Sequence, residues 1–129
     1  MTIQWHLSTG QHVDVLQISG FLGDDAVTRF NGAIGWALAR GERTLLVDCT
    51  RLQGWSTEGA AAVSAAARSL DGERRALELV APPVAVDDIP AYADLAAAFA
   101  HYQANLDGHL DGQGSGAWQS VHWDDGQAS

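Results

Sequence analysis

The chain has 129 residues, a length that suits one domain, and its hydrophobic content of 47% is ordinary for a globular protein. Its formal net charge is −9 with a pI near 4.6, and all seven basic residues are arginine. That balance argues against a nucleic-acid partner and against direct contact with anionic membrane surfaces, because both need a basic patch.

A single cysteine, Cys49, excludes an internal disulfide. No run of about 18 apolar residues is present to span a membrane. The opening MTIQWHLSTG lacks the cationic start and apolar segment of a secretory signal. The expected location is cytoplasmic.

Residues 3–8 and 12–20 read as two strands joined at Gly10. In the second, Val13 and Val15 share one face, and Leu16 and Ile18 follow after a slip of one position. Residues 24–40 read as an amphipathic helix. Val27, Phe30, Ile34 and Leu38 are spaced three and four apart, Asp24 and Asp25 stand at the start, Arg40 in the last turn, and Gly41 just past it. Trp36 falls on the opposite face, beside Arg29 and Gly32, where it either lies flat on its own helix or anchors a partner.

Residues 44–49 (TLLVDC) form an apolar run ending in Asp48, as expected of a central strand covered on both faces. A short loop follows, and then Ser56-Thr57-Glu58-Gly59 opens a second helix over 57–70, with Val63, Ala67 and Leu70 facing inward. Two hydroxyls therefore stand at a helix N-terminus, where free N–H groups and the positive end of the dipole favour a phosphate or carboxylate. Ser and Thr are also ordinary caps there. Asp48 is expected to brace the loop that follows it. Trp55 is expected to plug the core or, if exposed, to anchor an interface.

Residues 75–81 read as a strand with Leu77 and Leu79 on one face, ended by Pro82 and Pro83. Residues 93–106 read as a last helix with Asp94 as cap and Leu95, Ala98, Phe99 and Tyr102 as its apolar stripe. From 107 the composition turns to Gly, Asp, Gln and Ser, which predicts a flexible tail over 107–129 after a domain spanning 1–106. Trp118 and Trp123 are unusual in such a tail and could dock on the domain or on a second copy.

The five histidines and Cys49 show no metal-ligand spacing. The Asp107–Gly112 stretch begins like a calcium loop, but Trp118 stands where the bidentate acid belongs. No phosphate-cradling loop or nucleophile elbow is present. The expectation is a protein that is not an enzyme and carries no catalytic residue, cofactor or metal.

The order of elements resembles the STAS domain of bacterial anti-sigma factor antagonists. Ile18-Ser19-Gly20-Phe21-Leu22 matches the family's strand end "sGeLD", Leu46-Val47-Asp48-Cys49-Thr50 its "vvDls" strand, and Ser56-Thr57-Glu58-Gly59 falls in register with "DSSG". The resemblance covers roughly residues 3–105. It implies an α/β fold with one mixed four- to five-stranded sheet packed against three to four helices.

It also implies a regulatory protein-binding module whose partner is an anti-sigma factor of the serine/threonine kinase type. Thr57 sits at the phosphoacceptor position, with Ser56 beside it. The implied partner surface comprises Asp48, Thr50, Trp55, Ser56, Thr57, Glu58 and Gly59, with Trp36 as a further anchor. The sequence departs from the family at Ser56, where an acid is usual, at Glu58, where a serine is usual, and at Gly23, with Asp24 and Asp25 following. The third family helix is reduced to residues 84–91. A second branch, the STAS subunit of lipid-transport ABC transporters, is matched by Thr50-Arg51-Leu52 and by Thr57-x-Gly59 in its "sRv…DTGG" motif. A self-associating adaptor or homodimer, with Trp36, Trp118 and Trp123 in the contacts, is the remaining alternative.

Overall fold

The structure is a computed structural model that describes residues 2–10, 12–106 and 119–123, with 104–106 and 119–123 described by their backbone. Six strands and three α-helices follow in the order β1 (Ile3–Thr9), β2 (Val13–Leu22), α1 (Val27–Arg40), β3 (Thr44–Trp55), α2 (Thr57–Gly72), β4 (Leu77–Val80), β5 (Ala91–Tyr92), α3 (Leu95–Leu106) and β6 (Gln119–Trp123). A single 3-10 turn, Asp24–Ala26, leads into α1.

The strands form one mixed sheet in the order β5-β4-β3-β2-β1-β6. β1 runs antiparallel to both β2 and β6, while β2, β3, β4 and β5 are mutually parallel. Parallel neighbours need crossovers, and α1 and α2 supply those between β2, β3 and β4. This is the α/β arrangement expected, with a sixth strand added to the sheet.

Two layers of apolar side chains explain the pattern in the strands. Ile3, Trp5, Leu7, Leu16, Ile18, Leu45 and Val47 are buried against Phe30, Ala33 and Ile34 of α1 and Val63, Ala66 and Leu70 of α2. On the other face, Val13, Val15, Leu46 and Val80 are buried with Ala98 of α3. β2 therefore contains no slip: it is covered on both faces, by α3 at Val13 and Val15 and by α1 and α2 at Leu16 and Ile18.

Four expectations are corrected. β3 does not stop at Cys49 but continues to Trp55, so the expected loop over 50–55 is strand. Against β2 it spends extra residues twice, because Gln17 pairs Asp48 but Ser19 pairs Arg51, and Gly20 pairs Leu52 but Phe21 pairs Gly54. These are β-bulges, and they made the segment look irregular by breaking the period-two alternation.

Residues 84–91 hold no helix. They are turns and bends leading into β5, with the left-handed Ala81 (φ 50°) and Asp88 (φ 67°) bending the chain. In α3, Ala98 is buried but Phe99 is 37% exposed, because only a narrow side of this Ala-rich helix meets the sheet. Of the segment read as a tail, 119–123 forms β6 on the edge of β1; Trp118 and the other residues of 107–129 lie outside the described residues.

A buried ion pair ties the lower ends of the strands together. Arg75 donates to the carbonyls of Arg43 (2.7 Å) and Ala37 (3.3 Å) and meets Asp14 at 3.4 Å. Burial pushes the Asp14 carboxyl up, against the opposing pull of the Gly10 amide and Arg75. Gly41 leaves room for this pair, since a Cβ there would stand 2.0 Å from Asp14 Oδ2. α3 is held by a second polar group: the hydroxyls of Tyr92 (3.0 Å) and Tyr102 both donate to Glu78 Oε1.

Candidate functional site: the amino end of α2

β2 and β3 end side by side, with Leu22 paired to Trp55. The Ser56 N–H donates to the Leu22 carbonyl at 3.0 Å, so the chain leaves β3 and enters α2 directly beside the end of β2. Gly59 permits this approach. It is buried, and a Cβ would stand 2.1 Å from the Leu22 carbonyl oxygen, an overlap that only a backbone shift relieves.

Ser56 is the N-cap of α2. Its backbone is extended, and its Oγ accepts from the Gly59 N–H at 3.1 Å, satisfying one of the helix's orphan donors. The same hydroxyl donates to Asp24 Oδ1 at 2.7 Å. Asp24 belongs to the turn after β2, so this bond joins the two motif segments across 32 residues of sequence. Sequence reasoning placed Asp24 at a helix start and missed this contact; the signal was an acid two residues beyond the strand end that pairs the motif strand.

The Ser56 hydroxyl is thus occupied as donor and acceptor, while Thr57 and Glu58 are exposed in the first turn of α2. Asp24 and Asp25 are exposed on the neighbouring turn. The rim combines the positive end of a 16-residue helix with three carboxylates. Trp55 is half-buried and packs against the core, as expected of a plug.

The remaining candidates lie elsewhere. Asp48 is only 3% exposed. Its Oδ1 accepts from the Thr50 N–H (2.9 Å) and Thr50 Oγ1 (2.5 Å), and its Oδ2 from Gln17 Nε2 (3.3 Å), so it braces the bulge after it. Thr50 is exposed on β3, turned back to Asp48 through its hydroxyl. Trp36 lies about 15 Å along the axis of α1 from the turn carrying Asp24. It is half-buried, 6.5 Å from the Trp5 ring, with the Arg40 guanidinium 4.1 Å above it. It therefore lies against its own helix and β1, and the structure does not bring it to the end of α2.

Cys49 is buried, and desolvation, with Asp48 beside it, pushes its thiol up to about 12. Among the described residues no group of three or more His, Cys, Asp or Glu is placed to hold a metal ion, and no helix is long and apolar enough to cross a membrane.

The family model described as "Mlab, STAS domain" matches residues 5–101. No curated protein matches the chain significantly. Among solved structures, the anti-sigma factor antagonist SpoIIAA in its unphosphorylated form is similar at 20% identity, covering 78% of this chain and 97% of its own, with a TM-score of 0.60. A candidate anti-sigma factor antagonist from Thermotoga maritima is similar at 13% identity, covering 72% of this chain and 92% of its own, with a TM-score of 0.56. At such identities these likenesses speak to the fold, which is the one the strand order and helix placement build here. With three quarters of its length matched by the family model, the chain belongs to the STAS domain family.

Proposed function

We propose that this chain is a non-enzymatic, cytoplasmic protein-binding module of the anti-sigma factor antagonist type, bound through the amino end of α2 and switched by phosphorylation of Thr57. The observation that carries the reading is the division of labour between adjacent hydroxyls. Ser56 is spent on capping and on Asp24, whereas Thr57 is exposed at the first position of the helix. A phosphate on Thr57 would add between about −1.5 and −2 of charge to a rim already carrying Asp24, Asp25 and Glu58. It would repel a partner that packs against this rim, while the start of α2 tolerates it through the helix dipole. Glu58 and the half-buried Trp55 complete the contact area, with the buried Gly59 seating α2 beneath it. The partner in this reading is an anti-sigma factor of the serine/threonine kinase type.

The experiment is affinity capture from the native host with phosphosite mapping, followed by calorimetry of the captured partner with the Thr57→Asp variant. Capture of a kinase-type anti-sigma factor, phosphate on Thr57 and weakened binding by the variant support the switch. Undiminished binding by Thr57→Asp removes it.

A second reading, the STAS subunit of a lipid-transport ABC transporter, is favoured by Thr50-Arg51-Leu52 and Thr57-x-Gly59, and by the Mlab name of the matching family model. It predicts capture of an ABC ATPase with Thr57 unmodified.

A further inference from the structure

α3 covers only part of its face of the sheet. Beyond it, the face carries two rows of polar residues in register: His6, Gln17 and Asp48 across β1, β2 and β3, and Gln4, Ser19 and Arg51 in the next row. Together they line a groove of about 300 Å³, at the lower end of the range for small-ligand sites.

The first bulge in β3 builds this groove. With plain alternation Asp48 and Thr50 would share the face. The extra residue instead sets Arg51 opposite Ser19, so a carboxylate and a guanidinium three residues apart on one strand both line the same hollow. Arg51 is exposed at the rim. Asp48 lies on the floor, 3% exposed. An ionised carboxylate offers about four acceptor sites. Thr50 fills both at Oδ1, and Gln17 fills one at Oδ2, so Oδ2 retains an acceptor site for a further donor.

We propose that this groove binds a small zwitterion, an α-amino acid, with its carboxylate on Arg51 and its ammonium on Asp48 Oδ2. The pairing follows from the charges. An anion alone would meet Asp48, and a cation alone would meet Arg51, whereas a compact molecule carrying both is matched at each end. Gln4, Gln17 and Ser19 supply neutral donors and acceptors between the two charges. The site lies on β3 upstream of Ser56 and does not rest on the function proposed for α2.

The test is titration of the ¹⁵N-labelled protein, followed by amide NMR, with each of glycine, L-alanine, L-serine and L-glutamate. Acetate and methylammonium serve as half-molecules. The expected result is saturable shifts at Gln17, Ser19, Asp48 and Arg51 with a Kd below about 1 mM for at least one amino acid, and none for either half-molecule. Arg51→Gln should weaken that binding at least about tenfold, the loss of one charge-assisted contact, with an unchanged unfolding midpoint, and Arg51→Lys should recover part of it. Three results would overturn the proposal: no saturable shift with any of the four, acetate binding as tightly as the amino acids, or full binding by Arg51→Gln.

Discussion

Replacing Ser56 by alanine separates stability from recognition at the start of α2. The side chain makes two bonds in the structure, accepting from Gly59 N at 3.1 Å and donating to Asp24 at 2.7 Å. Loss of an N-cap hydroxyl costs about 1 kcal/mol. The bond to Asp24 is on the exposed side, where water competes, so it adds a few tenths to about 1 kcal/mol. Ser56→Ala should therefore lose about 1–2 kcal/mol, or roughly 4 °C in Tm per kcal/mol for a chain of this size. Urea unfolding is the assay, with the m-value held to the wild-type slope. A double-mutant cycle with Asp24→Ala isolates the second bond and should return a coupling of a few tenths to about 1 kcal/mol. Thr57→Ala, on an exposed side chain next door, should stay within about 0.5 kcal/mol of wild type. An unchanged midpoint for Ser56→Ala, or a larger loss for Thr57→Ala, would refute the assignment of cap and exposed hydroxyl.

Gly59→Ala places a Cβ against the Leu22 carbonyl and should destabilise by about 1–3 kcal/mol, the cost of forced overpacking, with partner binding lost beyond what the stability change explains; calorimetry with the captured partner measures it. Cys49 should resist a thiol-colouring reagent at pH 8 in the native state and react only at the rate of opening, since its thiol is buried and pushed up to about 12; prompt stoichiometric labelling would contradict its burial. The raised carboxyl of Asp14 gives a sign for acid stability. A group whose folded pKa lies above its unfolded value stabilises fully below the unfolded value, here 3.8, and that contribution fades as pH rises through the folded value. Asp14→Asn should remove this downward slope from the urea midpoint plotted against pH. It should also destabilise the protein near neutrality by about 3 kcal/mol, by leaving Arg75 buried without its carboxylate.

Periodicity carried most of the architecture. Phe30 and Ile34 on α1, Val63 and Leu70 on α2, and the continuous run Leu45–Val47 face where their spacing puts them. The failures share a cause. Thr50, Arg51 and Gln53 looked like a loop because they are polar and out of phase, yet they are exposed residues of β3 that stand at its two bulges. Gln119–Trp123 was discounted for the Gly-rich composition around it, although Val121 and Trp123 alternate with Ser120 and His122 as a strand does.

At the site, the cap at Ser56 and the need for Gly59 were legible because caps and close approaches leave local signatures. The Ser56–Asp24, Arg75–Asp14 and Tyr102–Glu78 contacts join residues 24 to 61 positions apart. Local pattern holds no record of such pairs.

The place of β6 sets an order of events during synthesis. β1 is made before every other strand of the sheet, and along Trp5–Thr9 its outer edge is paired with residues 119–123. Until those residues have cleared the ribosome, the outward row of N–H and C=O groups along Trp5–Thr9 has no cis partner, and a neighbouring nascent chain can use it as a template. A chain cut after residue 106 would keep that edge open permanently. Its first symptom would be edge-to-edge aggregation rather than loss of the core, because the helices packed on Leu16, Leu45 and Val47 are all made before the cut.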